Sequence, residues 1–245
     1  MTHAADGHTI ECTSDGEARL NPAANWLWFA PAVGRSSALV IGEIAPSYLR
    51  GLSTHFERIE TTTLASLHRV VACSDAMASG GAPLAFGEGS MDCVISTDLV
   101  HGWSGSRQSP FRDPQFVAAL TELRRLLRPG GVLFLSGENA RWHRALLRWR
   151  AEEPARNGQG GRTGAALHLG TARKALAGAG FSETRAYFVE PSVGDIATVV
   201  PACRHAALAY ERERLPRTNV PWRALWAAGG LYELLYPDVF VLAIA

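Results

Sequence analysis

The sequence predicts an α/β fold: one domain on a mostly parallel sheet, with helices on both faces. Three observations predict it. Short apolar runs recur along the chain, stopped by Gly, Thr or Ser, at a length that suits buried strands. Segments with helical spacing lie between them, and strands joined through helices run parallel. A Pro-Gly-Gly breaker at 129–131 separates one such helix from the next apolar run, and a last run, Val-Phe-Val-Leu-Ala-Ile-Ala, occupies 239–245.

The elements follow in order. Residues 1–20 are polar and rich in Gly, Asp and Thr, which reads as a flexible arm, and 21–245 as the domain. Residues 25–31 (Asn-Trp-Leu-Trp-Phe-Ala-Pro) suit a short helix on the sheet or a lid over a ligand. The first strand is 37–42, Ser-Ala-Leu-Val-Ile-Gly, followed by a short helix over 47–56. The β-branched stretch 57–63 reads as a second strand, 69–74 as a third and 91–97 as a fourth. Over 113–128, Phe116, Leu120, Leu123 and Leu127 recur on one helical face, and Val132 opens the fifth strand. A basic, Trp-containing helix spans 141–150, a Gly-rich loop 153–165, a helix 171–180 and a sixth strand 181–189. Residues 190–236 are expected to be mainly helical, a cap inserted before the last strand, with interruptions at Pro201, Pro216 and Pro221.

Composition narrows the function classes. With 47% apolar and 19% charged residues, 245 residues can bury a sizeable core. A net charge of +1 offers no electrostatic case for nucleic acid as a partner. No apolar run is long enough to span a bilayer and no leader pattern opens the sequence, so a cytoplasmic protein is expected. The four cysteines (Cys12, Cys73, Cys93, Cys203) form no CxxC pair, and Cys73 and Cys93 suit reduced core thiols. HExxH, Walker A and GxSxG patterns are missing, and His143, His168 and His205 are far apart, so no metal site is expected.

Several segments, taken together, are similar to the class I S-adenosylmethionine-dependent methyltransferases. Ala38-Leu39-Val40-Ile41-Gly42 stands where that family has its first strand and glycine loop. Asp75-Ala76 and Pro83-Leu84-Ala85-Phe86 resemble the loop leading to "LPF". Gly89-Ser90-Met91-Asp92-Cys93-Val94-Ile95-Ser96 resembles its fourth strand, "GSFDLVxS". Leu126-Leu127-Arg128-Pro129-Gly130-Gly131-Val132-Leu133 matches "LRPGGxL", and Ala179-Gly180-Phe181 its "AGF". The resemblance covers about 37–190 and implies a Rossmann-like, seven-stranded sheet whose last strand is antiparallel.

It also implies a site. The cofactor would be S-adenosylmethionine, lying beyond the carboxyl ends of the strands. Gly42 and Glu43 would flank its tail, Glu60 its ribose, Asp75 and Ala76 its adenine, with Thr97 completing the contacts. His101, after the fourth strand, would be a general base if it titrates near neutrality. Asp98 and Glu138 occupy similar positions, each equally readable as a capping or solvated acid. The family pattern acid-x-Gly-x-Gly-x-Gly is reduced here to Val40-Ile41-Gly42-Glu43-Ile44-Ala45-Pro46. Ile44 and Pro46 add bulk where the tail would rest, and Pro46 lacks an N–H. Three functions follow: a methyltransferase for a small-molecule substrate with an altered pocket, an inactive relative serving as a scaffold, or a member of the fold recruited to different chemistry. A homodimer, or a heteromer with another methyltransferase-like chain, fits the second.

Overall fold

The computed structural model describes residues 11–12, 18–19, 36–42, 49, 52–76, 84–96, 99–103, 110–141, 167–192, 195–218 and 221–245. One seven-stranded sheet organises them: β1 (Ser37–Ile41), β2 (Arg58–Thr62), β3 (Met91–Ser96), β4 (Leu127–Glu138), β5 (Glu183–Ser192), β6 (Asp195–Pro201) and β7 (Asp238–Ile244). Their order is β2-β1-β3-β4-β7-β5-β6. β2, β1, β3 and β4 are mutually parallel, and β7 runs antiparallel to both β4 and β5. The sheet is mostly parallel, and its last strand is antiparallel as expected. A two-residue antiparallel pair, Glu11–Cys12 with Ala18–Arg19, stands apart from the sheet.

Helices cover the sheet: α1 (Leu64–Ala76), α2 (Leu99–Trp103), α3 (Pro114–Leu126), α4 (Leu169–Gly178), α5 (Arg204–Thr218) and α6 (Pro221–Ala228). Strand alternation sorts β1 into two cores. Leu39 and Ile41 pack with Leu67, Val71, Leu120 and Leu123 on one face; Ala38 and Val40 pack with Leu52, Phe56 and Phe134 on the other. No described helix is long and apolar enough to cross a membrane.

Two expectations are corrected. Residues 69–74 are not a strand but part of α1. The β-branched run Val70-Val71 is outweighed by the helical spacing of Leu64, Leu67 and Val71, and by Thr63, whose Oγ1 accepts from the Ser66 N–H at 3.2 Å. The stretch 190–236 is not helical at its start. Its first part turns back as β6, an antiparallel partner of β5, and helices begin only at Arg204. The sheet thus keeps seven strands, with the seventh gained at the β5 edge rather than beyond β2.

The Pro-Gly-Gly segment ends α3 as expected, but pairing begins earlier than Val132. Met91 pairs with Leu127 and Cys93 with Val132, so residues 128–131 bulge out of β4. Gly130 takes φ 78°, and its N–H donates to the Ala245 carbonyl at 3.0 Å. A Cβ on Gly131 would lie 2.9 Å from the Arg128 carbonyl oxygen and 3.1 Å from that of Asp92. Beside it Asp92, 1% exposed, accepts from the Ser37 N–H at 2.8 Å and pairs with Arg128. These contacts tie the amino ends of β1, β3 and β4 together. Burial, with Asp92 adjoining, pushes the Cys93 thiol far above its ordinary value, which fits a protonated core thiol.

Candidate functional site

The carboxyl ends of β1, β3 and β4 form the rim where a ligand would sit in a sheet of this order. At β1 the rim is made by Gly42. Its φ of 103° is a conformation that side chains rarely adopt, and its N–H donates to the Thr62 carbonyl at 3.0 Å. The chain therefore leaves β1 through a turn without a Cβ, held against the end of β2.

Ser96 fixes the neighbouring end. Its hydroxyl donates to the Ile41 carbonyl at 3.2 Å and accepts from the Leu99 N–H at 3.1 Å. One buried side chain so sets the spacing between β1 and β3 and the start of α2. At α2, Trp103 stacks on His68 of α1, with ring centroids 3.9 Å apart, and its indole N–H donates to Asp113 at 3.1 Å. The helices leaving β2 and β3 are thereby joined above the rim.

At β4 the rim passes into the cap. Asn139 is 2% exposed, and its amide donates to the carbonyls of Glu233 at 2.6 Å and Tyr236 at 2.9 Å. Its carbonyl accepts from the Arg141 N–H at 3.0 Å, and Arg141 pairs with Glu233 at 3.0 Å. Glu138 lies opposite Asp238, the first residue of β7. Nearby, His168 is held below its ordinary value by burial and by Arg141 and Arg112.

The cap is held by buried charge. Glu190 on β5 accepts from Arg223 of α6 at 2.6 Å and pairs with Arg214 of α5. Arg223 also donates to Glu211 at 2.9 and 2.8 Å, and Tyr236 donates to the same carboxylate at 3.1 Å. Glu211 is 3% exposed and Tyr236 fully buried. Burial opposes the charge on Arg223, but the two carboxylates outweigh it and raise its pKa. Burial first, then Glu211, raises that of Tyr236. Such a cluster holds one geometry because removing any partner strands a buried charge.

The expected site residues are placed as follows. Gly42 is at the rim. Glu60 lies within β2, opposite Leu39 and two residues before the strand's end, with its carboxylate 3.9 Å from Arg58. Asp75 and Ala76 end α1 instead of following a strand, and His101 is within α2. Glu43, Ile44, Pro46, Thr97 and Asp98 lie outside the described residues, as do 25–31 and 142–166. Three features escaped the sequence reading: Ser96, Asn139 and the Glu190–Arg223–Glu211 cluster. Asn139 directly follows an apolar strand, and that position is the one signal that could have found it.

Residues 43–135 match the family model described as Methyltransferase domain. No curated protein matches the chain in sequence. Among solved structures, phosphoethanolamine N-methyltransferase 2 of Haemonchus contortus is similar at 16% identity and a TM-score of 0.48, covering 91% of this chain and 52% of its own. This chain thus spans about half of that protein. A possible histamine N-methyltransferase of Thermotoga maritima shares 9% identity at a TM-score of 0.47, covering 91% and 87%. The cyclopropane synthase MmaA2 of Mycobacterium tuberculosis shares 16% at 0.48, covering 96% and 86%. The likeness to methyltransferases in sequence lies within residues 43–135.

Proposed function

We propose, from the match of residues 43–135 to the family model described as Methyltransferase domain, that the protein binds S-adenosylmethionine at the carboxyl ends of β1 to β3 and methylates a small-molecule acceptor. The observation that carries this reading is the turn at Gly42, with its φ of 103°, immediately before the matched segment. A backbone without a Cβ there gives room for close approach of a ligand's tail. Glu43, Asp75, Ala76 and Thr97 are the further proposed cofactor contacts, with Glu60 a ribose contact from behind Thr62. The sulfonium cofactor supplies an activated methyl group. The chain's part is to orient the acceptor, and orientation alone can account for most of the acceleration. His101 is the proposed general base for an acceptor that must lose a proton.

The acceptor side is proposed to be the cap, where Asn139 and the Glu190–Arg223–Glu211 cluster hold β4, β5, α5 and α6 in one arrangement. The test is formation of S-adenosylhomocysteine from S-adenosylmethionine with a panel of amine, hydroxyl and carboxylate acceptors. Turnover with one class, lowered by His101→Ala, supports the reading. No turnover with any, alongside tight cofactor binding, sinks the methyl-transfer claim.

One observation favours a second reading. Of the family's three loop glycines only Gly42 is kept, with Ile44 and Pro46 in the other positions. A chain that has lost cofactor binding would act as a scaffold or partner subunit. The two readings part at cofactor affinity.

A further inference from the structure

The two edges of the sheet are built differently. At one edge β6 meets β5 through a register shift at Glu190/Pro191 and ends in Pro201, features that discourage another strand from adding. At the other edge β2 has one strand neighbour among the described residues, β1. It has five residues, Arg-Ile-Glu-Thr-Thr, with no Pro, Gly or register shift. The Arg58 N–H donates to Ser36 and the Thr62 carbonyl accepts from Gly42, so residues 58, 60 and 62 turn their peptide groups toward β1. Ile59 and Thr61 therefore direct theirs away from β1, along an edge with no other strand among the described residues.

We propose that this edge pairs with the same edge of a second copy of the chain, antiparallel about a two-fold axis through Ile59. Charge selects the register. Antiparallel pairing about an outward-directed residue makes Ile59 and its mate a hydrogen-bonded pair. It then sets Arg58 directly opposite the mate's Glu60, and Glu60 opposite the mate's Arg58. Both side chains lie on one face and are substantially exposed, at 56% and 43%. A centre at Glu60 would oppose two carboxylates. A centre at Thr61 would set Arg58 against Leu64 and leave both charges without a mate. The alternation of sign across Ile59 is thus self-complementary, as an isologous interface requires. The interface shares Glu60 with the proposed ribose contact, so association is measured without cofactor.

The experiment is sedimentation equilibrium of the full chain over a range of concentrations, with circular dichroism as a check on folding. Wild type is expected to dimerise. Arg58→Glu and Glu60→Arg, each alone, oppose like charges twice in the dimer and are expected to weaken association by roughly tenfold or more. The double swap R58E/E60R restores opposite charges and is expected to restore the dimer. A wild type that stays monomeric at about 0.1 mM overturns the proposal. So does a dimer indifferent to the single swaps, or one that the double swap fails to rescue while folding is intact.

Discussion

The two ends of the parallel strands are held by different means. At the amino ends, Ser37, Asp92, Arg128 and the Gly130–Gly131 bulge close on one another and on Ala245, so backbone and side chains are locked within a few residues. At the carboxyl ends, single side chains reach between neighbours: Ser96 from β3 to β1, Asn139 from β4 to the segment before β7. The difference explains what the family motifs report. Gly89-Ser90-Met91-Asp92 and Arg128-Pro129-Gly130-Gly131 sit at the locked end, away from the proposed site. They specify a scaffold and say nothing of whether a cofactor is bound.

Breaking the locked end should cost the most stability. Asp92→Ala removes a buried carboxylate bonded to the Ser37 N–H and leaves Arg128 without its partner. We expect a loss of about 2–4 kcal/mol, read as a lowered urea midpoint at unchanged m-value. Gly131→Ala drives a Cβ into two carbonyl oxygens, one of them on Asp92, and should cost about 1–3 kcal/mol by the same measurement. Neither change should move cofactor affinity in the folded protein, because both lie at the far end of the strands.

The carboxyl end should respond the other way. Ser96→Ala loses two hydrogen bonds and should cost about 1–2 kcal/mol, yet it should weaken S-adenosylmethionine binding severalfold by loosening β1 from β3. Equal affinity for the variant and wild type would place the ligand elsewhere. The smallest expected effect is at His168, whose native pKa lies below its ordinary 6.5. As pH falls below about 6.5 the unfolded chain takes up the proton first, so this residue's contribution is intact above that value and is lost toward the lowered native one. His168→Gln should flatten the acid side of a stability–pH curve slightly. A steeper curve would contradict the assignment.

How much of this was legible in the sequence follows the same division. Strands 37–42, 91–97 and 239–245 were readable because a buried strand is a short unbroken apolar run. The helix over 69–74 was missed because five β-branched or small residues outweighed the Thr63 cap in a local reading. The strand Asp195–Pro201 was missed because Pro201 and the following helices coloured the whole stretch. At the site, Gly42 was legible as the glycine that stops a strand. Ser96 was read as one more strand residue, since its role depends on Ile41, 55 residues earlier. Glu211-Arg212-Glu213-Arg214 looks like a solvated charge run, but tertiary packing buries Glu211 against Tyr236 and Arg223. Partners that come from other elements leave no local pattern.

The most direct test is calorimetric titration of S-adenosylhomocysteine into the full chain and into its Asp75→Ala variant. The account predicts saturable binding to one site per chain, weakened by the substitution while the unfolding free energy stays within about 0.5 kcal/mol of wild type. No heat of binding at millimolar ligand would contradict it and leave a methyltransferase fold without its cofactor.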